Sequence, residues 1–423
     1  MTDQRFTRQV GITLITKVVN LTLSIATAAI IARWLGPEGK GMLALALLVP
    51  SMLALFLSGG INVANVYFAG SKRLDVAALS ANSLGFTILM TIFGFTAVSV
   101  LTSLGWLEAL VPGVSTWIVL LAMLGFPTIL LSGFYSAIFQ GLQRIETVNL
   151  INLIQRISTL SLTILLVIVW KLSLLGALVA ALASWALSLT VSGMVLRRGG
   201  GILKPSWSYS LLRPTLSFGL RGHIGNVLQF FNYRLDIFIV NFFLGPAGVG
   251  IYTVTVTLAE LLWYLPNAVG FVIFPKAAAT KPEEMNVFTP RVVRITIGLT
   301  ALGALGLGIV GRPLINFVFS SAFIDAYIPL LVLLPGVVLL GGSKVLTNEI
   351  AGRGYPHYNS LNAALALVVT VVLDLLLIPR YGVLGAALAS SIAYAIILFA
   401  AIGFYLTVSR EAKQTSPMEI SAS

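Results

Sequence analysis

Apolar residues run along this chain in blocks too long for the core of a soluble protein. Each block holds roughly 20 or more residues, and as a helix that length crosses a hydrocarbon layer of about 30 Å. The blocks predict helices near 10–33, 43–68, 77–104, 114–140, 149–169, 173–196, 215–243, 249–274, 291–318, 327–350, 359–378 and 382–408. The polar connections between them are short. The longest, around 197–214 and 275–290, leave no room for a folded domain outside the membrane. Pro50, Pro127, Pro266 and Pro335 fall inside blocks and predict kinks, because proline lacks the backbone donor and its ring crowds the carbonyl four residues earlier.

The pattern repeats. Leu35-Gly36-Pro37-Glu38-Gly39-Lys40-Gly41 follows the first block, and Leu244-Gly245-Pro246-Ala247-Gly248-Val249-Gly250 follows the seventh, 209 positions later. Leu175-Gly176-Ala177 and Leu384-Gly385-Ala386 are separated by the same 209 positions. One unit of about 210 residues is therefore used twice, with six blocks in each copy. Six crossings per copy make both copies enter the membrane in the same direction, which predicts a pseudo-twofold axis along the membrane normal. Residues 1–204 are read as an N-terminal six-helix bundle and 205–408 as a C-terminal one; 409–423 lack apolar periodicity and are read as a disordered cytoplasmic tail. Proline pre-sets one turn position and glycine accepts positive φ, so the paired Leu-Gly-Pro motifs are expected to close tight hairpins.

Composition sharpens this picture. Of 423 residues, 58% are hydrophobic and only 9% charged, where a soluble chain would carry about a quarter charged. The net charge of +12 does not describe a nucleic-acid surface, because the basic residues are scattered singly between apolar runs. Fifteen lysines and arginines fall in connections on the side of the N-terminus, against five on the other side. The positive-inside bias therefore places both termini in the cytoplasm and the Leu-Gly-Pro motifs outside, in a multi-pass protein of the cell (inner or plasma) membrane. The first nine residues are polar and no small-residue cleavage site follows, so the first block is read as a retained helix. The absence of cysteine excludes disulfides and thiolate chemistry. No His/Asp/Glu group has metal-ligand spacing and no GxxxxGK[ST] loop occurs, so neither a metal nor a cofactor is expected and ATP is not the direct energy source.

Arg33-Trp34-Leu35-Gly36-Pro37, with Gly39 and Gly41, resembles the first-hairpin signature of the polysaccharide transporter family. These are the Wzx-like O-antigen flippases of the MOP superfamily, which also contains MurJ-like and MATE exporters. Further stretches agree: Asp236-Ile237-Phe238-Ile239 running to Gly245 and Gly250-Ile251-Tyr252, Leu265-Pro266 running to Phe274-Pro275, and Ala351-Gly352-Arg353 followed by Ile378-Pro379-Arg380-Tyr381-Gly382-Val383-Leu384-Gly385-Ala386-Ala387. The resemblance implies an all-α polytopic membrane protein of about twelve transmembrane helices, in two pseudo-twofold-related six-helix bundles around a central cavity. It also implies a secondary transporter, not an enzyme, that flips a polyprenyl-diphosphate-linked oligosaccharide from the cytoplasmic to the outer leaflet by alternating access. Implied partners are that substrate, membrane lipids, and the polysaccharide polymerase and glycosyltransferases of the same pathway; the implied state is a monomer. Coupling to H+ or Na+ is left open. The alternative is a MATE-like cation-coupled drug or metabolite exporter, which would favour an acidic cavity, whereas the first helix carries Lys17 and no carboxylate. A membrane glycosyltransferase would call for an acidic metal-binding pair and a polymerase for a large outer loop, and neither is visible.

Charges inside spanning helices are costly and usually face a cavity. The cations are Lys17, Arg156, Arg221, Arg234 and Lys344. Lys17, Arg156 and Arg221 each lie about seven residues from the cytoplasmic ends of their helices, or about 10 Å deep, and Lys344 also falls in the inner half. Four cations at similar depth suit a diphosphate entering from the cytoplasm, held by charge-assisted hydrogen bonds. A long basic side chain at that depth also reaches the headgroups by snorkelling. Lys17 and Arg221, on the first helix of each copy, are assigned to the cavity. Arg234 lies deeper and calls for an acidic partner.

The membrane acids are Asp236, Glu260, Glu349 and Asp374. Glu349 and Arg353, four apart with the acid first, predict a local ion pair; Arg234 and Asp236, two apart, point to different faces of a regular helix. Glu260 shares a helical face with Trp263, Tyr264 and Asn267 at spacings of three, four and seven. A carboxyl there can exchange a coupling proton or pair with Arg234, while Trp263 and Tyr264 are placed to touch a glycan. Asp374 fits either role.

Overall fold

The computed structural model describes the backbone of residues 3–202, 204–205 and 209–415, and the side chains of 15–202, 204–205, 211–220 and 223–410. Among these residues there is no strand. The helices are α1 (Asp3–Leu57), α2 (Ile61–Gly70), α3 (Val76–Ser103), α4 (Trp106–Leu110), α5 (Thr116–Met123), α6 (Gly125–Gly141), α7 (Ile145–Thr163), α8 (Ser173–Arg198), α9 (Tyr209–Glu260), α10 (Tyr264–Ala279), α11 (Pro282–Val318), α12 (Tyr327–Gly352), α13 (His357–Tyr381) and α14 (Val383–Thr415). A π-turn over Ile164–Val169 extends α7, and 3-10 turns over Leu261–Trp263 and Ser321–Ala326 lead into α10 and α12.

Among the described residues, ten helical stretches are long and apolar enough to cross a membrane. Two of them, Ile15–Leu57 and His223–Ala279, contain 43 and 57 residues. Even the shorter would measure about 65 Å if straight, twice a hydrocarbon layer. Each is broken at the glycine of the first repeated motif, with φ 67° and ψ −176° at Gly36 and φ 67° and ψ −175° at Gly245. That combination is essentially restricted to glycine and would strain any L side chain by about 1–3 kcal/mol. A Cβ at either position would meet nothing within 4 Å, so the demand for glycine is conformational and not steric. Pro37 and Pro246 then open the following limb, where a missing N–H leaves no bond unmade and φ is already helical.

In the second half this break reverses the chain. Tyr252, seven residues after Gly245, donates a hydrogen bond to Asp236, nine residues before it. In a straight helix residues 16 apart lie about 24 Å apart. The hairpin expected from the Leu-Gly-Pro motif is thus made by one residue. The second repeated glycine also has a backbone reason: a Cβ on Gly176 would lie 2.9 Å from the carbonyl oxygen of Leu166, and one on Gly385 would press still harder on that of Leu377. These glycines let α8 and α14 start against the ends of the helices before them.

Several boundaries differ from the sequence expectation. The block at 43–68 is interrupted at Ser58–Gly60, between α1 and α2. The block at 114–140 is interrupted at Leu124, three residues before Pro127, and the 3-10 turn ending at Trp263 lies three residues before Pro266. Both breaks fall one turn upstream of proline, where its missing donor and its ring act. Pro50 and Pro335 instead lie within α1 and α12 without ending them. The tail predicted from 409 is helical as far as Thr415; its remainder, 416–423, lies outside the described residues.

Contacts divide the chain into two units, Met1–Val227 and Leu228–Ser423. The boundary falls inside α9 and not at 204/205, because the first turns of α9 pack with the first unit. There the Phe218 ring stacks on Tyr67 at 4.5 Å, and His223 Nε2 lies 3.3 Å from the Phe56 carbonyl oxygen. Within this unit α1 packs along α6, α7 and α8, and Phe126, Phe134, Tyr135 and Phe139 of α6 are buried.

In the second unit α12 is central, packed against α10, α11 and α14. Its outer helix α11 reverses the pattern of a soluble protein: Thr289, Thr296 and Thr300 are buried, whereas Ile309 and Phe317 are each 79% exposed. Small and hydroxylic residues between helices with large apolar residues outside is the arrangement that lipid selects. At the end of α12, Arg353 Nε donates to buried Glu349, as the spacing predicts, and Arg353 Nη2 donates to Asn286 Oδ1 at 2.9 Å.

Candidate functional site: a buried polar cluster in the second unit

The hairpin at Gly245 brings the two limbs of α9 together and, with them, a group of polar and aromatic side chains. Tyr233 and Asp236 come from the first limb, Tyr252 and Glu260 from the second, Trp263 from the 3-10 turn, and Ser390 and Tyr394 from α14; all line one pocket. The 3-10 turn explains the register. With three residues per turn, positions i and i+3 eclipse, so Trp263 stands over Glu260. Tyr264, which a regular helix would place on the same face, is 48% exposed and does not line this pocket.

Lys344 of α12 lies against two of the lining rings. Its Nζ donates to Asn267 Oδ1 at 3.0 Å and lies 4.5 Å from the Trp263 ring centroid and 5.6 Å from that of Tyr233. Such cation–π contacts gain strength when desolvated. Trp263 packs against Tyr233 at 5.1 Å and edge-on to Tyr394 at 6.5 Å. Glu260 lies within electrostatic reach of both Lys344 and Arg234. The cluster therefore holds an ammonium group fixed by an amide and two rings, with a carboxylate to balance it.

A second group of acids lies beside it. Asp236 is buried, accepts from the Tyr252 hydroxyl, and takes the Ile237 N–H at 2.8 Å. Asp374 of α13 is 0% exposed, and neither of its carboxylate oxygens has a hydrogen-bond partner. Electrostatically it faces Asp236, Tyr252 and Tyr394. A buried carboxylate with no partner is strongly disfavoured, so this pair is suited to hold a proton or a small cation.

Of the residues singled out in the sequence, the structure brings together Arg234, Asp236, Glu260, Trp263, Lys344 and Asp374. Lys17 on α1 and Arg156 on α7 belong to the first unit, and both side chains are exposed. The Arg221 side chain lies outside the described residues. Sequence reasoning missed Tyr233, Tyr252 and Tyr394. A signal existed for Tyr252: residues roughly equidistant from the hairpin glycine must face one another, and Asp236 and Tyr252 flank Gly245 in that way.

Residues 6–280 match the family described as polysaccharide biosynthesis protein. A Shigella flexneri protein whose name describes an O-antigen transporter is 23% identical over 384 residues, which are 88% of this chain and 90% of that one. A Haloferax volcanii protein named for a low-salt glycan biosynthesis flippase is 25% identical over 223 residues, 49% of this chain and 46% of that one, so the match spans about half of that relative. Among solved structures, the lipid II flippase MurJ in an inward closed conformation has a TM-score of 0.75 at 16% identity, covering 96% of this chain and 90% of MurJ. An inward-facing MATE multidrug resistance transporter of the MOP superfamily has a TM-score of 0.72, also at 16% identity, covering 94% and 99%. The structural matches establish the fold, and the family match runs over well more than half of the chain: it is a multi-pass membrane protein that belongs to the polysaccharide biosynthesis protein family.

Proposed function

We propose that this protein is a secondary transporter that flips a polyprenyl-diphosphate-linked oligosaccharide from the cytoplasmic to the outer leaflet, by alternating access, for cell-surface polysaccharide synthesis. The observation that carries the reading is Lys344, held at membrane depth by Asn267, Trp263 and Tyr233. An ammonium beside an indole suits the junction of the cargo, with the diphosphate on Lys344 and Arg234 and the adjoining sugar on Trp263. Lys17, Arg156 and Arg221 are assigned to the approach of the anionic headgroup. Both termini face the cytoplasm, the protein works as a monomer, and the glycosyltransferases and polymerase of the same pathway supply and consume its cargo.

Asp236 and Asp374 form the coupling site for H+ or Na+. Their burial also counts against the exporter alternative, since acids closed off under tyrosines are open to a small ion but not to a bulky cationic drug. Cells lacking the protein should lose surface polysaccharide and accumulate the lipid-linked oligosaccharide, with drug sensitivity unchanged. An unchanged lipid-linked pool together with raised drug sensitivity would favour the exporter instead.

A further inference from the structure

Hydroxyl side chains in membrane helices commonly bond a carbonyl one turn back in their own helix. Helix α8 follows this habit: Ser184 bonds the Ala180 carbonyl, Thr190 that of Ala186, and Ser192 that of Ser188. The Ser188 hydroxyl lies in the middle of this series and makes no hydrogen bond. Neither do the side chains of Ser132 and Ser136 on α6, or of Asn152 and Gln155 on α7. All five line one cavity of the first unit, together with Trp185 of α8. Ser132 Oγ is fully buried without a partner, and Ser188 is 3% exposed.

Unpartnered polar groups are costly at membrane depth. Only Ser132 Oγ bears that cost in full; Ser136, Ser188, Gln155 and the exposed Asn152 open onto the same space, and a ligand seated there would supply bonds to all five. The space is about 210 Å³, smaller than the 300–1,000 Å³ common for drug-sized ligands, so it suits one small group and not a whole glycan. Its chemistry narrows the ligand. No charged side chain lines it, so it offers nothing to neutralise a diphosphate or a cationic drug, and a lipid tail would leave the amides unpaired. Amides and hydroxyls both donate and accept, and an indole offers a flat apolar face. A sugar ring presents the complement, with vicinal hydroxyls at its edge and C–H groups on its faces.

We propose that this groove between α6, α7 and α8 binds a neutral sugar residue of the transported glycan; the assignment rests on the flippase reading above. It gives the first unit a glycan contact separate from the Lys344 cluster of the second.

The test uses the purified full-length protein and two probes: bare polyprenyl diphosphate, and the lipid-linked oligosaccharide extracted from cells lacking the protein. Wild type should bind the sugar-bearing lipid at least about ten-fold more tightly than the bare one, the gain expected from two or three added hydrogen bonds. In Gln155→Leu that ratio should fall to near one. The smaller change Ser132→Ala, which removes only the unpartnered hydroxyl, should lower it part of the way and serves if the Gln155 variant does not insert. An undiminished ratio in both variants, or equal binding of the two lipids by wild type, would overturn the groove while leaving the flippase intact. Failure of wild type to bind either lipid would overturn both.

Discussion

Asp374→Asn should give a protein that inserts normally but no longer answers to an ion gradient. Asp374 is fully buried, neither of its oxygens is bonded, and Asp236 is an acid that acts on it. Two ionised carboxylates in such a place, one of them without a hydrogen bond, would cost several kcal/mol, so the native state is expected to carry a proton or a cation there. Asparagine keeps the shape and removes the charge, and with it the reason to bind the ion. In proteoliposomes an imposed gradient should accelerate wild-type transport and leave Asp374→Asn unaffected. Thermal unfolding in detergent supplies a second readout. A bound ion at a hundred times its Kd stabilises by about 2.7 kcal/mol, so wild-type stability should respond to sodium or to pH, whichever ion couples, and the variant to neither. A variant whose transport still follows the gradient would remove coupling from this pair.

Lys344→Ala should abolish transport, with a loss of about a hundred-fold or more. Two charge-assisted hydrogen bonds to a diphosphate, at about 1.5–3 kcal/mol each, account for a loss of that size. The single variant also leaves the partly buried Glu260 without one of its two cations, so lower stability is expected alongside. The double variant Lys344→Ala with Glu260→Gln separates the two effects, because removing both charges relieves the unpaired one. It should recover thermal stability without recovering transport. Recovery of both in the double variant would make Lys344 a structural partner of Glu260 and nothing more.

Much of the fold was legible because membrane helices are specified by length and apolarity. Both 209-residue glycine pairs turned out to mark backbone demands: the Gly-only dihedrals at Gly36 and Gly245, and the close carbonyl contacts at Gly176 and Gly385. Sequence distance to a proline was less reliable, since Pro127 and Pro266 follow breaks and Pro50 and Pro335 do not; the cost of a lost bond is decided by neighbouring helices. The Glu260, Trp263 and Asn267 grouping was readable from helical spacing, whereas Tyr264 was misplaced by a three-residue turn of tighter pitch that spacing could not reveal. Asp236 and Tyr252 met only through the hairpin, and Asp374 and Tyr394 only through packing of α13 and α14 on it. Depth along a helix placed Arg156 and Lys17 at a suitable level but carried no information on facing, and both side chains are exposed.

The central claim is that this chain carries a lipid-linked glycan across the bilayer, and leaflet accessibility tests it most directly. Lipid-linked oligosaccharide is reconstituted symmetrically into sealed vesicles with or without the purified protein, and a membrane-impermeant glycosidase is added outside. Empty vesicles should protect the inner-leaflet half of the glycan. Vesicles with the wild-type protein should expose nearly all of it, and vesicles with Lys344→Ala should behave as empty ones. A protected half that persists with the wild-type protein, under either imposed ion gradient, would contradict the account.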